Sequence, residues 1–105
     1  MAGWLDRHVV DWEHIPNEGK RSAREGRILN MMGRKAGTAD IHISARVPKH
    51  PECRGVRIEL KKTGGKPTPL QLRRLDRLHE RCGYLTRVCF GADDAIRWLT
   101  SLGFG

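Results

Sequence analysis

The chain has 105 residues, 38% hydrophobic and 30% charged, the balance of one small globular domain rather than of a disordered tail. Lys and Arg number 20 against 12 Asp and Glu, a formal charge of +8 that attracts polyanions, nucleic acid first among them; a solvated basic surface or an anionic membrane would also suit it. Cys53, Cys82 and Cys89 are an odd set without paired spacing, which argues against a disulfide framework.

No apolar run approaches the ~20 residues of a bilayer span, and the opening MAGWLDRHVVDWEH carries acids inside its apolar stretch, unlike a signal peptide. A reducing, intracellular setting is therefore expected. A single domain spanning 1–105 this small buries only roughly 60–70% of its unfolded surface, so a partner subunit would add to its core.

Residues 4–12 hold Trp4, Leu5, Val9, Val10 and Trp12, an amphipathic segment of one or two helical turns that Pro16 closes. Asn17 to Arg21 is a polar loop containing Gly19. Ser22 and Glu25 form a capping box for a helix at about 23–32, which carries Ile28, Leu29 and Met32 and stops at Gly33. ADIHISAR at 39–46 alternates with period two and predicts a strand. After the proline-containing loop 47–54, GVRIELKK at 55–62 alternates again: Val56, Ile58 and Leu60 on one face, Arg57, Glu59 and Lys61 on the other. The simplest pairing of the two strands is a hairpin.

Gly64 and Gly65 end the second strand. Thr68 as N-cap, Pro69 at the first helical position and Gln71 three residues after the cap predict a second helix. Its apolar stripe is Leu72, Leu75, Leu78 and Cys82, with Leu70 near its start, and Gly83 ends it. YLTRVCF at 84–90 is a third strand. Asp93 or Asp94 caps a last helix bearing Ala95, Ile96, Trp98, Leu99 and Leu102. The order α, β, β, α, β, α predicts an α/β fold, a small mixed sheet flanked by helices, with the strands of the 60–90 βαβ unit parallel.

Asp40 begins one strand, and Glu59 and Lys61 stand two apart on the next, so the last two share a face and a hairpin brings Asp40 to the same region. Two carboxylates brought together repel unless a cation joins them. A hard divalent ion takes such oxygens together with a substrate phosphate, and a neighbouring lysine orients water or stabilises developing charge. The competing reading is a solvated strand face, since D…ExK also arises by chance.

The wider sequence resembles the virus-type replication–repair nuclease (VRR-NUC) domain, a branch of the PD-(D/E)xK superfamily. The likeness is carried by HIPNEGKRS at 14–22, GTAD at 37–40 and IELKKTGGKPTPLQ at 58–71, with CGYLTRVCFGADDAIRWL at 82–99 similar to the family's closing strand and helix. The resemblance implies a restriction-endonuclease-like core and cleavage of DNA phosphodiester bonds with Mg²⁺ or Mn²⁺. It implies Asp40 and Glu59 as metal ligands, the Leu60 backbone carbonyl as a further one, Lys61 and Gln71 in the catalytic group, and a homodimer acting on branched DNA such as a four-way (Holliday) junction, in a bacterial or phage-infected cytoplasm. Asn17, Lys20, Arg21, Lys62 and Lys66 are the expected DNA-binding residues. Ala39 stands where the family has proline. Of the acids available for an opening-helix carboxylate, Glu13 and Glu18, the latter is the preferred further metal ligand.

Several residues have competing explanations. Gln71 suits a helix cap as well as a site, and Asn17 a turn. Arg73, Arg74, Arg77 and Arg81 suit either a phosphate-tracking face or a solvated helix face paired with Asp76 and Glu80. His50, Cys53, His79 and Cys82 have a zinc-like spacing, but no CxxC pair accompanies it. His42 reads as a polar strand residue, and Trp4, Trp12 and Trp98 as core or dimer residues rather than base-stacking platforms. The alternatives to a nuclease are a non-catalytic nucleic-acid-binding module of the same fold and a subunit that completes its site with another protein.

Overall fold

The computed structural model describes residues 1–15 and 40–105. Within these the chain forms α1 (Ala2–His8), β1 (Trp12–His14), β2 (Ile41–Ile43), β3 (Gly55–Lys61), α2 (Pro69–Cys82), β4 (Tyr84–Phe90) and α3 (Ala92–Ser101). The expected helix at 23–32 lies outside the described residues. Among the described residues no helix is long and apolar enough to cross a membrane.

The alternating segments pair as their patterns require. β2 and β3 run antiparallel with Ile41 opposite Ile58 and Ile43 opposite Val56, and β3 and β4 run parallel from Gly55↔Tyr84 to Lys61↔Phe90. The sheet order is β1-β2-β3-β4. Ile41, Ile43, Val56, Ile58 and Cys89 are buried on one face of this sheet, together with Leu5 and Val9 from the α1 end and Ala95 and Leu99 from α3. Helix α2 covers the opposite face over β3 and β4, where Leu75 is buried and Gln71 reaches Glu59. A mixed sheet covered by helices on both faces is an α/β arrangement.

Local chemistry sets the ends of α2. The Thr68 hydroxyl accepts from the Gln71 N–H at 3.1 Å while the Gln71 side-chain oxygen accepts from the Thr68 N–H at 2.8 Å, a complete capping box. Gly83 closes the helix with φ 78°, a left-handed conformation that a side chain disfavours.

The structure corrects four expectations. The segment 4–12 is not one unit: the helix stops at His8, and Trp12 begins an edge strand held by β2, with Trp12 opposite Ile43. Three strand residues are too few to show a period. The strand expected over 39–46 is only Ile41–Ile43. The N-cap of α3 is Gly91 rather than Asp93 or Asp94; both acids lie in the first turn, and Asp94 reaches back to accept from the Phe90 N–H at 2.9 Å. Finally, Leu70 and Leu72 are each 44% exposed and Leu75 alone of the α2 stripe is fully buried, because the sheet beneath α2 offers a mixed polar face.

Gly55 begins β3 beside the end of β2, and a Cβ there would collide with the Ile43 carbonyl oxygen. Gly55→Ala is expected to destabilise the domain by about 1–3 kcal/mol, as overpacking of a close contact does. Urea denaturation measures this; an unchanged midpoint would show that the two strands separate freely at this point.

Candidate active site

The β2–β3 register, continued one residue from Ile41↔Ile58, sets Asp40 directly opposite Glu59. Opposed residues on antiparallel strands project to the same face, here the face under α2. Both acids are buried, Glu59 to 2% exposure, so the solvated-face reading of this strand is excluded.

Each carboxylate is held by a different device. Just beyond the Ile41–Ile58 pair, the Leu60 N–H, on the edge of β3 facing β2, donates to Asp40 Oδ2 at 2.9 Å. Glu59 Oε1 accepts from Gln71 Nε2 at 2.7 Å and lies 3.3 Å from Lys61 Nζ. Glu59 Oε2 is buried and receives no hydrogen bond among the described residues. Gln71 thus uses its oxygen to cap α2 and its nitrogen to hold Glu59, so the cap expected from sequence is present and the same amide touches the candidate site.

Electrostatics follow from this geometry. Burial pushes the Glu59 carboxyl up from 4.5 to about 7; the Asp40 charge adds to the rise, and Lys61 offsets part of it. A carboxylate in so poor an environment is a place where a cation would relieve strain.

Two residue groups lie differently from expectation. Glu18, Asn17, Lys20 and Arg21 lie outside the described residues. Lys62 and Lys66 are exposed in the loop that follows β3. The zinc-like set is not assembled: among the described residues no three His, Cys, Asp or Glu side chains gather around a shared point, His50 faces Glu52 and His79 meets the Tyr84 carbonyl. Cys89 is a core thiol, pushed up to about 11 chiefly by burial.

Sequence reading missed Arg57. Its guanidinium lies 4.0 Å over the Tyr84 ring, one strand pleat behind Glu59, and donates to the Val56 carbonyl at 3.1 Å. Burial disfavours its charge most; Tyr84 and Glu13 offset this, and the nearby Arg74 adds to it. The Arg74 Nε is itself buried without an acceptor among the described residues. An alternating strand assigns Arg57 to the Glu59 face, but nothing in the sequence points to Arg74 lying over it.

A group whose pKa is raised on folding contributes stability that is present below its unfolded pKa and lost as pH rises through the folded one. For Glu59 in the metal-free protein that window runs from about 4.5 to about 7. Glu59→Gln, which cannot ionise, should match wild type near pH 4.5 and exceed it above pH 7 by on the order of 3 kcal/mol. Thermal denaturation across pH in the presence of a chelator measures this, and a difference independent of pH would contradict it.

No family model and no curated protein matches the sequence. Among solved structures the chain is similar to a "VRR_NUC domain protein", with a TM-score of 0.68 and 31% sequence identity over 88% of this chain. The chain spans 66% of the length of that neighbour. The chain therefore belongs to the VRR-NUC family of nuclease domains.

Proposed function

We propose that this domain is a Mg²⁺- or Mn²⁺-dependent deoxyribonuclease, an endonuclease that hydrolyses phosphodiester bonds in branched DNA in the manner of a Holliday-junction resolvase and works as a cytoplasmic homodimer. The observation that carries the proposal is the buried Asp40–Glu59 pair, which the β2–β3 register brings opposite each other at the start of β2, with one Glu59 oxygen lacking any donor among the described residues.

The donors present fit a hard divalent ion. Asp40 and Glu59 supply carboxylate oxygens, and such ions are commonly bound by one or two carboxylates with substrate phosphate and water completing the shell. The Leu60 N–H faces Asp40, whereas the Lys61 carbonyl faces the opposite edge of β3, where it accepts from the Gly91 N–H at 2.9 Å. In an extended strand the N–H and C=O of one residue point to the same edge, so the Leu60 carbonyl faces Asp40 too. Asp40, Glu59 and this carbonyl would hold the ion, with Glu18 as a further candidate.

When bound, such an ion polarises a phosphoryl oxygen and lowers the pKa of a coordinated water. Lys61, half-buried beside Glu59, has its ammonium placed to orient the attacking water and to stabilise charge developing on the phosphate. Gln71 fixes the Glu59 carboxylate by one oxygen. Lys62 and Lys66, together with Asn17, Lys20 and Arg21, are the groups proposed to hold the DNA backbone, and Arg57 and Arg74 add positive charge on the same face. Two copies of the site in a dimer would cut two strands at a branch.

Cleavage of junction, flap and linear DNA, with and without Mg²⁺ or Mn²⁺, tests the proposal. Wild type should cut branched DNA only with the ion. Lys61→Ala should lower kcat about 10²–10³-fold, the usual cost of removing one charge-stabilising donor. Equal cleavage by both proteins, or none by wild type on any substrate, would overturn the mechanism. Tight DNA binding without cleavage would favour a non-catalytic module.

A further inference from the structure

The chain has six aromatic residues of the Trp, Tyr and Phe types, and the fold takes up five of them. Trp4, Trp12 and Trp98 pack against the main core, Phe104 is buried, and Tyr84 lies beneath the Arg57 guanidinium. Phe90 is 41% exposed.

The sheet decides where the Phe90 ring stands. In the parallel β3–β4 register Phe90 is the partner of Lys61, and paired residues project to the same face, so the ring lies alongside Lys61 on the Glu59 face. Its backbone is fixed at both sides: the Phe90 N–H donates to Asp94 Oδ2 at 2.9 Å, and the Gly91 N–H to the Lys61 carbonyl at 2.9 Å.

Exposed apolar side chains gather at this same end of the sheet. Leu70 and Leu72 flank Gln71 in the first turn of α2, and each is 44% exposed. Leu72 stands seven residues, close to two helical turns, before His79, whose ring meets β4 at the Tyr84 carbonyl. Leu72 is therefore on the β4 side of α2, toward the end that carries Phe90. Of the large hydrophobics exposed among the described residues, only Val10 lies elsewhere. Single exposed apolar residues are ordinary, but a group of them around a charged site marks a contact surface.

Charge selects the occupant. The ring lies alongside Lys61, the residue from which the loop bearing Lys62 and Lys66 departs, in a chain of net charge +8. A nucleic-acid strand brings phosphates to the lysines and a base to the ring. Every base has a π-face, and an aromatic platform beside a basic groove is how single-stranded segments are held.

We infer that Phe90 is a stacking platform for an unpaired nucleobase next to the bond to be cut. The subsite selects DNA with an extruded or unpaired nucleotide over a fully paired duplex. Its position relative to the scissile bond rests on the nuclease reading; its capacity to stack a base does not.

The test uses DNA carrying 2-aminopurine at an unpaired position, and the matched duplex, with Ca²⁺ as the only divalent ion. Wild type should quench the fluorescence on binding. Phe90→Ala should abolish the quenching and weaken binding of the unpaired DNA about tenfold, with duplex affinity changed less than about twofold. Phe90→Trp should restore both. Quenching that persists in Phe90→Ala, an equal loss on both DNAs, or dissociation of a dimer by Phe90→Ala in light scattering would overturn the inference. Cleavage of the same DNAs with Mg²⁺ separates the two readings. Phe90-dependent quenching without cleavage by wild type keeps the stacking site and defeats the nuclease reading, whereas cleavage with Phe90-independent quenching does the reverse.

Discussion

Two carboxylates that a sheet forces to face each other, out of water, must either be neutralised or destabilise the fold. Asp40 and Glu59 are in that position because the β2–β3 register and the burial of Ile41, Ile43, Val56 and Ile58 leave no alternative: a slip of one residue would turn the apolar set away from the core. The surrounding groups compensate only in part. The Leu60 N–H serves Asp40, and Gln71 and Lys61 serve one oxygen of Glu59. The second oxygen of Glu59 is left buried without a donor among the described residues, and its carboxyl is pushed up to about 7 by burial and by Asp40. Strain of this kind persists where surrounding structure over-determines it, and it is concentrated at functional sites.

What over-determines it is a rigid frame. The parallel β3–β4 pair runs the full length of both strands, and α2 is capped at one end by Thr68 and Gln71 and at the other by Gly83. The same amide that completes the cap also holds Glu59, so the start of α2 and the geometry of the acid are one structural decision. Glu59, Lys61 and Gln71 thereby sit on a strand and a helix, where positions are held more closely, and Asp40 directly precedes β2.

Much of this was legible in the sequence, and the exceptions have physical causes. Alternation placed Glu59 and Lys61 on one face, and the T-P-L-Q run announced the cap of α2. The burial of Glu59 was not legible, because an acid on an alternating strand looks the same whether its face meets water or a helix. Leu72 has helical spacing and yet is exposed, since the sheet face beneath α2 carries Arg57, Glu59 and Lys61 as well as apolar groups. The edge strand Trp12–His14 is too short to carry a period, and Gly91 took the cap that the aspartates suggested because Asp94 turns back to Phe90. The sequence likeness to the VRR-NUC domain lies in the D…ExK residues and their flanking lysines and does not point to Phe90, an aromatic residue left 41% exposed.

In the function proposed above, the Asp40–Glu59 pair is a cation site held ready by the fold. Calorimetric titration with Mn²⁺ at pH 7, in buffers of different ionisation enthalpy, tests it most directly. The account predicts one site per chain, release of a fraction of a proton on binding as Glu59 gives up its hydrogen, and loss of binding in both Asp40→Asn and Glu59→Gln. Binding of equal strength by these variants, or none by the wild-type domain, would contradict it.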